Sequence, residues 1–439
     1  MRVPLSPPPL QPLLGELAQA GHLLRFAGTA GPAPGGRYRH WDKLRHLEPP
    51  EGLTHRLWWA LIKLSRLAMR REVPHRDRIG RPSSYTLPDP LLKALAQIDR
   101  QASGQIALPD AALSTEQRDR YIVNSLIEEA ITSSQLEGAS TTRRGAKEMI
   151  RSGRDPVSND ERMILANYQA MRWVRQHRSE ALTPALVFSL HRTVASGTLD
   201  EEVAGVFRKP GEQLGVYSEG TRVHRPPDAE ELPERLQALC AFANREETEV
   251  YMPPVVKAII LHYWLAYDHP FEDGNGRTAR ALFYWYLLKQ GFWLFEYVSI
   301  STILKQGPRR YGRAFLYTET DENDLTYFIL NQLDVILRAL DSLQQYLERK
   351  MKEAGQIRSL LRSSADLNHR QIALLSHAHR HPGHEYTVAS HQTSHRVAYQ
   401  TARTDLLDLA HRDLLTQQKR GRRFVFSAPT NLAERVQQR

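Results

Sequence analysis

The sequence predicts a mostly α-helical protein with little β-structure and a small separate domain at its C-terminus. Between residues 37 and 355, apolar residues recur mainly at intervals of three and four, which is the spacing of one helix face. Before the C-terminal region, one stretch has the alternation of apolar and polar residues that is typical of a β-hairpin. It is GEQLGVYSEGTRVHRPP at 211–227, centred on Glu219-Gly220. From residue 368 the pattern changes to short helices followed by a basic hairpin.

The composition is that of a globular protein built without disulfides. The chain has 439 residues, 41% apolar and 25% charged, which suggests roughly two to four domains. Its one cysteine, Cys240, lies in an apolar helical pattern and excludes an intrachain disulfide. We find no secretory leader and no apolar run of about 18 residues, so we expect a cytoplasmic protein without membrane contact. The net charge of +10 is spread along the chain and favours anionic partners only weakly.

The first 118 residues divide into two predicted parts. Residues 1–36 contain Pro7-Pro8-Pro9 and GTAGPAPGG, which are typical of a flexible segment. Residues 37–118 predict a helical region, in which Thr54 caps an amphipathic helix that begins near His55. The stretch GRPSSYTLPDP at 80–90 predicts a linker inside this region.

Residues 119–355 predict a helical core around one dense motif. A helix is expected over 119–138, ended by Gly138, and Asp160 is expected to cap another. Two apolar helices, VVKAIILHYWLAYD and TARALFYWYLLKQG, flank the motif HPFEDGNGRTAR at 269–280. A long helix follows, from about residue 325 to 355.

Residues 356–439 predict a winged-helix domain. One helix, then a turn with a longer helix, precede two strands around the basic turn Lys419–Arg422. A helix and a basic hairpin of this kind can enter a major groove and contact phosphates. Asp405, Asp408 and Asp413 on the longer helix argue against DNA, and winged helices also bind proteins, so both partners stay open.

The motif HPFEDGNGRTAR combines groups that bind a polyphosphate with groups that act on it. Gly274-Asn275-Gly276 stands at the start of a helix, where backbone N–H groups and the helix dipole bind anions. Arg277 and Arg280 are three residues apart, so both can reach one anion. His269 is suited to act as a general base, and Asp273 to bind Mg²⁺ beside phosphates. The sequence has neither a P-loop pattern nor the ligand spacing of a zinc site here.

This stretch resembles the Fic family signature, HxFx[D/E]GNGRxxR, at every specified position. The resemblance covers about 121–346 and implies a helical Fic core that transfers AMP from ATP to a Ser, Thr or Tyr hydroxyl of a target protein. It implies that His269 deprotonates the hydroxyl, Phe271 anchors the loop and Asp273 binds Mg²⁺. The residues that would hold the phosphates are Gly274, Asn275, Gly276, Arg277 and Arg280.

The resemblance also assigns a role to the hairpin at 211–227. It lies where the family has its target-docking flap, and the segment GVFR at Gly205–Arg208 precedes it. The implied flap residues are Val216, Tyr217, Ser218, Thr221 and Val223. The related Doc kinases have Lys in place of the second glycine of the motif, so Gly276 favours adenylyl over phosphoryl transfer.

The segment SSQLEG at 133–138 resembles the inhibitory motif of the same family, [S/T]xxxE[G/N]. Ser133 and Glu137 are four residues apart and therefore lie on one face of the predicted helix. The resemblance implies that Glu137 pairs with Arg280 where the γ-phosphate of ATP would lie. A bidentate arginine–carboxylate pair is strong enough to compete with such a contact.

Together these features predict an auto-inhibited, Mg²⁺-dependent adenylyltransferase that uses ATP and modifies a protein target and itself. Three alternatives stay open: removal of AMP, transfer from another nucleotide, and DNA-binding regulation with the Fic domain as a sensor. The intact His269 argues against a pure sensor, which would need no base. A homodimer is a further open alternative, and the target protein and the trigger that releases Glu137 are not identified by the sequence.

Overall fold

The computed structural model describes residues 2–19, 30–102, 115–211, 215–218, 220–245, 250–363, 366–381, 383–395, 397–420 and 423–437. The chain divides into two compact units, Met1–Ile106 with Asn124–Leu340, and Ala107–Val123 with Asp341–Arg439. Helices dominate and the sheets have two or three strands, so the predicted mostly α-helical fold is confirmed. Within the described ranges, none of the helices has both the length and the apolar character needed to cross a bilayer.

The first 36 residues, predicted to be flexible throughout, include a packed helix, α1 (Leu10–Gln19). Leu13 and Leu17 lie four residues apart on this helix and are fully buried, in one apolar cluster with Trp59. Residues 1 and 20–29 of the predicted segment lie outside the described ranges. The helices that follow are α2 (Trp41–Leu44), α3 (His55–Leu67) and α4 (Asp89–Ala102). The proline-rich composition therefore concealed a short amphipathic helix.

A hairpin occupies the place of the predicted linker at 80–90, so that prediction was wrong. Strands β1 (Arg71–Arg76) and β2 (Pro82–Tyr85) pair antiparallel. The Asp77 carboxylate accepts the N–H groups of Ile79 and Arg81 and thereby shapes the turn. Ser84 in β2 also exchanges backbone hydrogen bonds with the distant segment 323–325. These distant partners stabilise the strand and leave no local signal in the sequence.

The core of the first unit consists of helices that pack around two apolar ones, and two of these helices, α5 before residue 124 and α14 after residue 340, continue into the second unit. The helices are α5 (Thr115–Leu136), α6 (Arg143–Ser152), α7 (Asn159–Gln176), α8 (Pro184–Ala195), α9 (Leu232–Asn244), α10 (Pro254–Asp268), α11 (Asn275–Lys289), α12 (Ile300–Gln306), α13 (Pro308–Thr320) and α14 (Thr326–Ser363). Helices α10 and α11 pack along each other, and both are buried on nearly every face. A helix that is apolar all round belongs in the centre of a domain, which is where this pair lies.

The helix boundaries differ from the predicted ones in ways that capping explains. Ser158, not Asp160, caps α7, by accepting the N–H of Glu161. Asp160 instead accepts hydrogen bonds from the backbone and hydroxyl of Ser140. Helix α14 runs from Thr326 to Ser363 without a break, and the two units divide within it, after Leu340, whereas the predicted boundary was 355/356.

The second hairpin of this unit lies at the residues predicted to form the target-docking flap, and it is called the flap below. Strands β3 (Val216–Ser218) and β4 (Thr221–His224) pair antiparallel, with Gly220 in the left-handed conformation at φ 77°. Val216 and Tyr217 are largely exposed, while His224 at the other end of the hairpin is buried. The backbone of Ser218 is described, and its side chain lies outside the described part.

The second unit has its own small sheet and its own core. Its elements are α15 (His369–Arg380), β5 (Glu385–Tyr386), α16 (Val388–His395), α17 (Tyr399–His411), β6 (Thr416–Arg420), β7 (Arg423–Ser427) and α18 (Leu432–Gln437). The strands are ordered β5-β7-β6 and pair antiparallel. The predicted turn and longer helix are two separate helices, α16 and α17. The order helix, strand, helix, helix, strand, strand agrees with a winged helix, and that assignment stays a prediction.

Candidate active site

The motif 269–280 forms the connection between α10 and α11 and the first turns of α11. His269 ends α10 in the left-handed conformation, with φ 48°, and its N–H donates to the Leu265 carbonyl at 3.1 Å. Gly274, at φ 80°, precedes the first residue of α11. A left-handed histidine is uncommon, because its Cβ crowds the backbone. The loop is therefore held in a conformation that the surrounding structure must stabilise.

Asn275 and Phe271 make the loop rigid. The Asn275 side chain accepts the Phe271 N–H at 2.9 Å and donates to the Phe271 carbonyl at 2.8 Å. The Phe271 ring is fully buried, as the predicted anchor requires. The Asn275 amide is thus used within the loop, which leaves backbone N–H groups rather than this side chain for the predicted phosphate contact.

His191 on α8 packs against the loop and holds it in place. It was not among the site residues predicted from the sequence. Its ring stacks on Phe271 with centroids 3.7 Å apart. Its Nδ1 accepts the Gly205 N–H at 2.8 Å, so the ring proton lies on Nε2, which donates to the Asp273 carbonyl at 2.8 Å. Burial lowers the pKa of His191 to about 4, which keeps this neutral tautomer at neutral pH. No periodic signal distinguishes this buried histidine from an ordinary core residue.

Arg208, the last residue of the GVFR segment, supports the loop from the side of the flap. Its Nε donates to the His269 carbonyl at 3.0 Å, its backbone N–H donates to the Pro270 carbonyl, and its Nη2 donates to the Pro227 carbonyl. The resemblance pointed to this segment without a role for the arginine. The contacts show that Arg208 joins the start of the loop to the chain that follows the flap.

Arg277 is a fully buried cation beside the start of α11. Its Nη1 donates to the Val194 carbonyl at 3.0 Å, and its Nη2 pairs with the Asp273 carboxylate at 3.2 Å. Its Nε is buried and finds no acceptor among the described residues. A buried guanidinium with an unused donor is costly unless an anion binds there, so the site is suited to a phosphate.

Arg280 is buried one turn further along α11 and is bound by the end of α5. Its Nε donates to Ser133 Oγ at 2.9 Å, and its Nη2 donates to the Ser133 carbonyl at 3.0 Å and to Glu137 Oε1 at 2.8 Å. Burial works to lower the pKa of Arg280, but Glu137 outweighs it, so the net shift is upward. The structure thus brings Ser133, Glu137 and Arg280 together, with one Arg–Glu hydrogen bond instead of the bidentate pair that was expected.

Gly276 provides the space in which the Glu137 carboxylate lies. A Cβ added to Gly276 would overlap Glu137 Oε1 and stand 3.1 Å from Arg280 Nη1. Gly276 is the second residue of α11, so Glu137 lies against a helix N-terminus, which binds anions. The Glu137 side chain is 31% exposed, so it remains in contact with solvent.

His269 borders an open cleft with a volume of about 380 Å³. Burial lowers the pKa of His269 to about 4, and the nearby His224 adds to the effect. Its Nδ1 faces the Ala266 carbonyl at 3.4 Å, the long limit of a hydrogen bond. With Nδ1–H directed at that oxygen, the Nε2 lone pair is left to accept a proton, as a general base requires.

The cleft brings together some members of the predicted catalytic, phosphate-binding, inhibitory and flap groups. Its lining includes Glu137, His269, Gly276 and Arg280. Other predicted site residues are not part of this lining: Ser133, Asp273, Gly274, Asn275 and Arg277. The flap contributes Val216, Tyr217, Val223 and His224, while Thr221 lies exposed at the hairpin turn. Helices α10 and α13 add aromatic rings to the lining, with Tyr267, Tyr311 and Phe315. The hydroxyl of Tyr311 is hydrogen-bonded to Arg280, so aromatic and charged groups adjoin each other. A cleft lined by both charged groups and aromatic rings is suited to a nucleotide.

Asp273 is the candidate Mg²⁺ ligand. Its side chain is 53% exposed and adjoins the start of α11. Among the described residues, no group of three or more His, Cys, Asp or Glu side chains is arranged to hold a metal. Mg²⁺ often takes one carboxylate and completes its shell with phosphate oxygens and water, so a single exposed aspartate beside the phosphate cradle fits this ion.

Comparisons with known proteins agree with this geometry. Residues 181–287 match the model of the Fic/DOC family. "Protein adenylyltransferase Fic" from Nematostella vectensis is 27% identical over 206 residues, 45% of this chain and 45% of that protein. "Protein adenylyltransferase fic-1" from Caenorhabditis elegans is 34% identical over 106 residues, 24% of this chain and 19% of that protein. The matched regions therefore span less than half of these relatives.

A solved structure extends the likeness beyond the motif. A Fic family protein from Desulfovibrio desulfuricans G20 is 17% identical, with a TM-score of 0.55, and the match covers 81% of this chain and 99% of that one. At this identity the likeness concerns the fold. With the signature intact on the loop between α10 and α11 and the matching family model around it, this chain contains a domain of the Fic/DOC family.

Proposed function

We propose that this protein transfers AMP from ATP to a hydroxyl of a target protein and that Glu137 restrains the reaction. The observation that carries the proposal is the cleft in which His269, Gly276, Arg280 and Glu137 meet. The names of the relatives, protein adenylyltransferases, support the same chemistry. The substrates proposed are ATP and a Ser, Thr or Tyr hydroxyl of a protein.

The proposed reaction begins with the neutral His269. Its Nε2 takes the proton of the target hydroxyl, and the oxygen forms a bond to the α-phosphorus of ATP. The bond between that phosphorus and the oxygen bridging to the β-phosphate breaks, and pyrophosphate leaves. General-base catalysis of this kind contributes roughly 10²–10⁴-fold to the rate.

The phosphates would bind at the start of α11. The backbone N–H groups at Gly274–Gly276, the helix dipole and the free Nε of Arg277 all favour negative charge there. Mg²⁺ held by Asp273 would neutralise charge on the phosphates. Aromatic rings of the cleft lining, among them Tyr267 and Phe315, could stack on the base of the nucleotide.

Glu137 acts as a brake in this proposal because it occupies the place of an anion. Its carboxylate lies at the N-terminus of α11 and accepts from Arg280, the residue implied for the γ-phosphate. A bound γ-phosphate would have to displace it. The contact is one partly exposed, charge-assisted hydrogen bond, worth on the order of 1–2 kcal/mol, so release needs no large rearrangement.

Replacing Glu137 tests the brake directly. We expect Glu137→Gly to raise transfer of labelled AMP to proteins in a lysate, and to the protein itself, by about tenfold, because Arg280 is freed for the phosphate. Glu230→Gly, an exposed acid on a 3₁₀ turn away from the cleft, is the matched control. Equal labelling in wild type and the Glu137 variant would reject the brake.

Replacing His269 tests the base. In the Glu137→Gly background, His269→Ala should reduce transfer by roughly 10²-fold or more while ATP still binds, because the cradle is intact. Binding of ATP is measured by calorimetry in the same variant. Undiminished labelling in the His269 variant would exclude it as the base.

Removal of AMP is the first alternative activity, and one observation favours it. The Glu137 carboxylate lies in the same cleft as His269, so it can orient a water as well as block a phosphate. Wild type would then release AMP from a target modified beforehand, and Glu137→Gly would not. Measuring free AMP from a pre-labelled target separates this activity from the transfer reaction.

Nucleic-acid binding by the second unit is the other alternative, and the pairing of two of the three aspartates weakens one argument against it. Asp405 on α17 is buried and accepts hydrogen bonds from Arg370 and His391, and Asp408 is bound by Arg412 and Gln371. Their charges are thus partly neutralised, while Arg403 and Lys419 are exposed. We expect a DNA shift by the full chain at low salt that weakens in Arg403→Ala, and no shift at low salt would reject this alternative.

A further inference from the structure

His224 lies where three parts of the active site meet. It is the last residue of the flap strand β4, and its ring is buried against the end of α10 and against α13. Its ring packs edge-on against Tyr267, with centroids 4.7 Å apart. Tyr267 lies two residues before His269, so a shift of the His224 ring would move the start of the catalytic loop.

Both ring nitrogens of His224 face oxygen atoms that can only accept. Nε2 lies 2.8 Å from the Tyr267 carbonyl oxygen, and Nδ1 lies 2.9 Å from Glu319 Oε2 on α13. A neutral imidazole has one N–H and can satisfy one such acceptor, whereas an imidazolium satisfies both. The geometry therefore calls for a protonated, positively charged ring paired with an ionised Glu319.

The charges around the ring support this state. Glu319 on α13 and Asp268 on α10 face it as acids, and His269 and His75 are the neighbouring bases. Asp268 already accepts from Arg235 and Trp264, so Glu319 is the acid in direct contact. Burial works to lower the pKa of His224, but Glu319 and the Tyr267 carbonyl outweigh it, and the pKa is raised above its usual value.

We propose that His224 is a positioning residue that, as an imidazolium, fastens the flap to the catalytic loop and so aligns the target hydroxyl with His269. This rests on the proposed AMP transfer. The Tyr267 bond fixes the end of β4 against α10, and the Glu319 pair fixes it against α13. The strand on which the target would dock is thereby held to two helices that line the cleft.

We therefore expect the flap to be fastened less firmly to the catalytic loop at alkaline pH. As pH rises through the pKa of His224, the ring loses a proton, and the Nδ1 lone pair then faces a carboxylate. One hydrogen bond and the attraction are lost, so the flap loosens. The stabilisation by this pair is fully present below the unfolded pKa of about 6.5 and is lost as pH rises through the raised pKa of the folded protein.

The protonation state can be tested without any substrate. Carbon-13 labelling of histidine Cε1 gives one NMR signal for each ring, and the signal of His224 is the one absent in His224→Gln. We expect it to titrate above pH 6.5 in wild type and at lower pH in Glu319→Gln, with Glu230→Gln as the unshifted control. A His224 signal that titrates below 6.5 in wild type would overturn the proposal.

The positioning role is tested by steady-state kinetics in the Glu137→Gly background, with lysate protein as the acceptor and its concentration varied to give an apparent KM. We expect this KM to rise about tenfold along the alkaline limb of the pH profile, where His224 loses its proton, with a smaller change in kcat. The limb should move to lower pH in Glu319→Gln. His224→Gln should show the raised KM at every pH. A purely structural role would lower kcat and affinity together without shifting the limb, and that result would overturn the proposal.

The two tests separate this inference from the function on which it rests. If Glu137→Gly shows no AMP transfer while the His224 signal titrates as expected, the proposed activity fails and the charged pair stands. If transfer is observed and its KM does not depend on His224 or Glu319, the proposed activity stands and the positioning role is wrong.

Discussion

In the proposed function, Gly276 is the residue at which the two competing anions, the Glu137 carboxylate and a phosphate of ATP, would meet. It lies in the first turn of α11 with ordinary helical geometry, so backbone freedom does not explain a glycine there. Space explains it, because a Cβ would overlap the Glu137 carboxylate. The same space would receive a phosphate, so the glycine serves the resting state and the nucleotide-bound state alike.

We therefore expect Gly276→Ala to weaken ATP binding even when Glu137 is absent. In the Glu137→Gly background the added methyl would still project into the cradle beside Arg280 Nη1, and affinity should fall about tenfold or more. Calorimetric titration with ATP measures this. Gly15→Ala, at a helical glycine where an added Cβ meets nothing within 4 Å, is the control. Unchanged affinity in Gly276→Ala would show that the phosphates bind elsewhere.

Ser133 extends the predicted contact between Glu137 and Arg280. Its hydroxyl and its carbonyl both accept from the Arg280 guanidinium, which directs the remaining N–H groups toward Glu137 and the cleft. The spacing of Ser133 and Glu137 predicted a shared helix face. The second acceptor is a backbone carbonyl near the end of α5, so no pattern of side chains in the sequence could predict it.

Helix α5 carries Glu137, the proposed brake, and the position of this helix depends on a buried acid. Glu129 is 2% exposed and accepts hydrogen bonds from the hydroxyl of Ser299 and from the backbone and hydroxyl of Ser301, at the start of α12. Asn167 on α7 donates to the Ala130 carbonyl at 3.2 Å. The end of α5 is thus fixed to two neighbouring helices. These bonds hold Glu137, the proposed brake, in position beside Arg280.

Glu129→Ala should loosen this support. Removing the acceptor leaves the buried N–H and hydroxyl of Ser301 unsatisfied, which should lower the free energy of unfolding by about 2–4 kcal/mol. Transfer of AMP should rise, but less than in Glu137→Gly, because Arg280 loses its partner only part of the time. Urea unfolding and labelled ATP measure the two effects.

The matched control is the preceding residue. Glu128 pairs with Arg143 and Lys147 on the outer side of α5, and such partly exposed pairs contribute about 1 kcal/mol or less. Glu128→Ala should therefore change stability little. If Glu129→Ala is as stable as Glu128→Ala, the buried acid does not hold the helix.

At the scale of the whole molecule, the second unit has a core of its own. Its apolar cluster draws on every helix and on strands β5 and β7 in the stretch 369–437. Residues at its centre include Leu375, Leu406, Leu409 and Phe426, each almost fully buried. A domain with its own apolar core can fold alone, even when a long helix joins it to the rest.

A fragment of residues 366–439 is accordingly expected to fold by itself. Circular dichroism should show helix, and heating should give one cooperative transition, because the cluster closes within this stretch. Leu406→Asp, which buries a charge in that cluster, should abolish the transition. A fragment that is unfolded without this substitution would show that the unit needs the rest of the chain.

The sequence by itself determined what is local. Helical periodicity predicted the α-helical core, and alternation around Glu219-Gly220 predicted the hairpin at 211–227. The glycines of the motif and its two arginines predicted a phosphate cradle, because each of these features depends on neighbours within a few residues. The role of the hairpin as a flap came only from resemblance to a family. The sequence also predicted the meeting of Glu137 with Arg280, 143 residues apart, but only by the same resemblance.

Only the tertiary structure decided which distant side chains complete the site. His191 and Asp273 are 82 residues apart, and His224 and Glu319 are 95 apart. Hairpin β1–β2 likewise depends on backbone bonds to residues 323 and 325. Helix and turn preferences act over a few residues, whereas a hydrogen bond between distant segments forms only where packing brings them together. The protonation of His224 belongs to this second class, because it follows from two acceptors supplied by different helices.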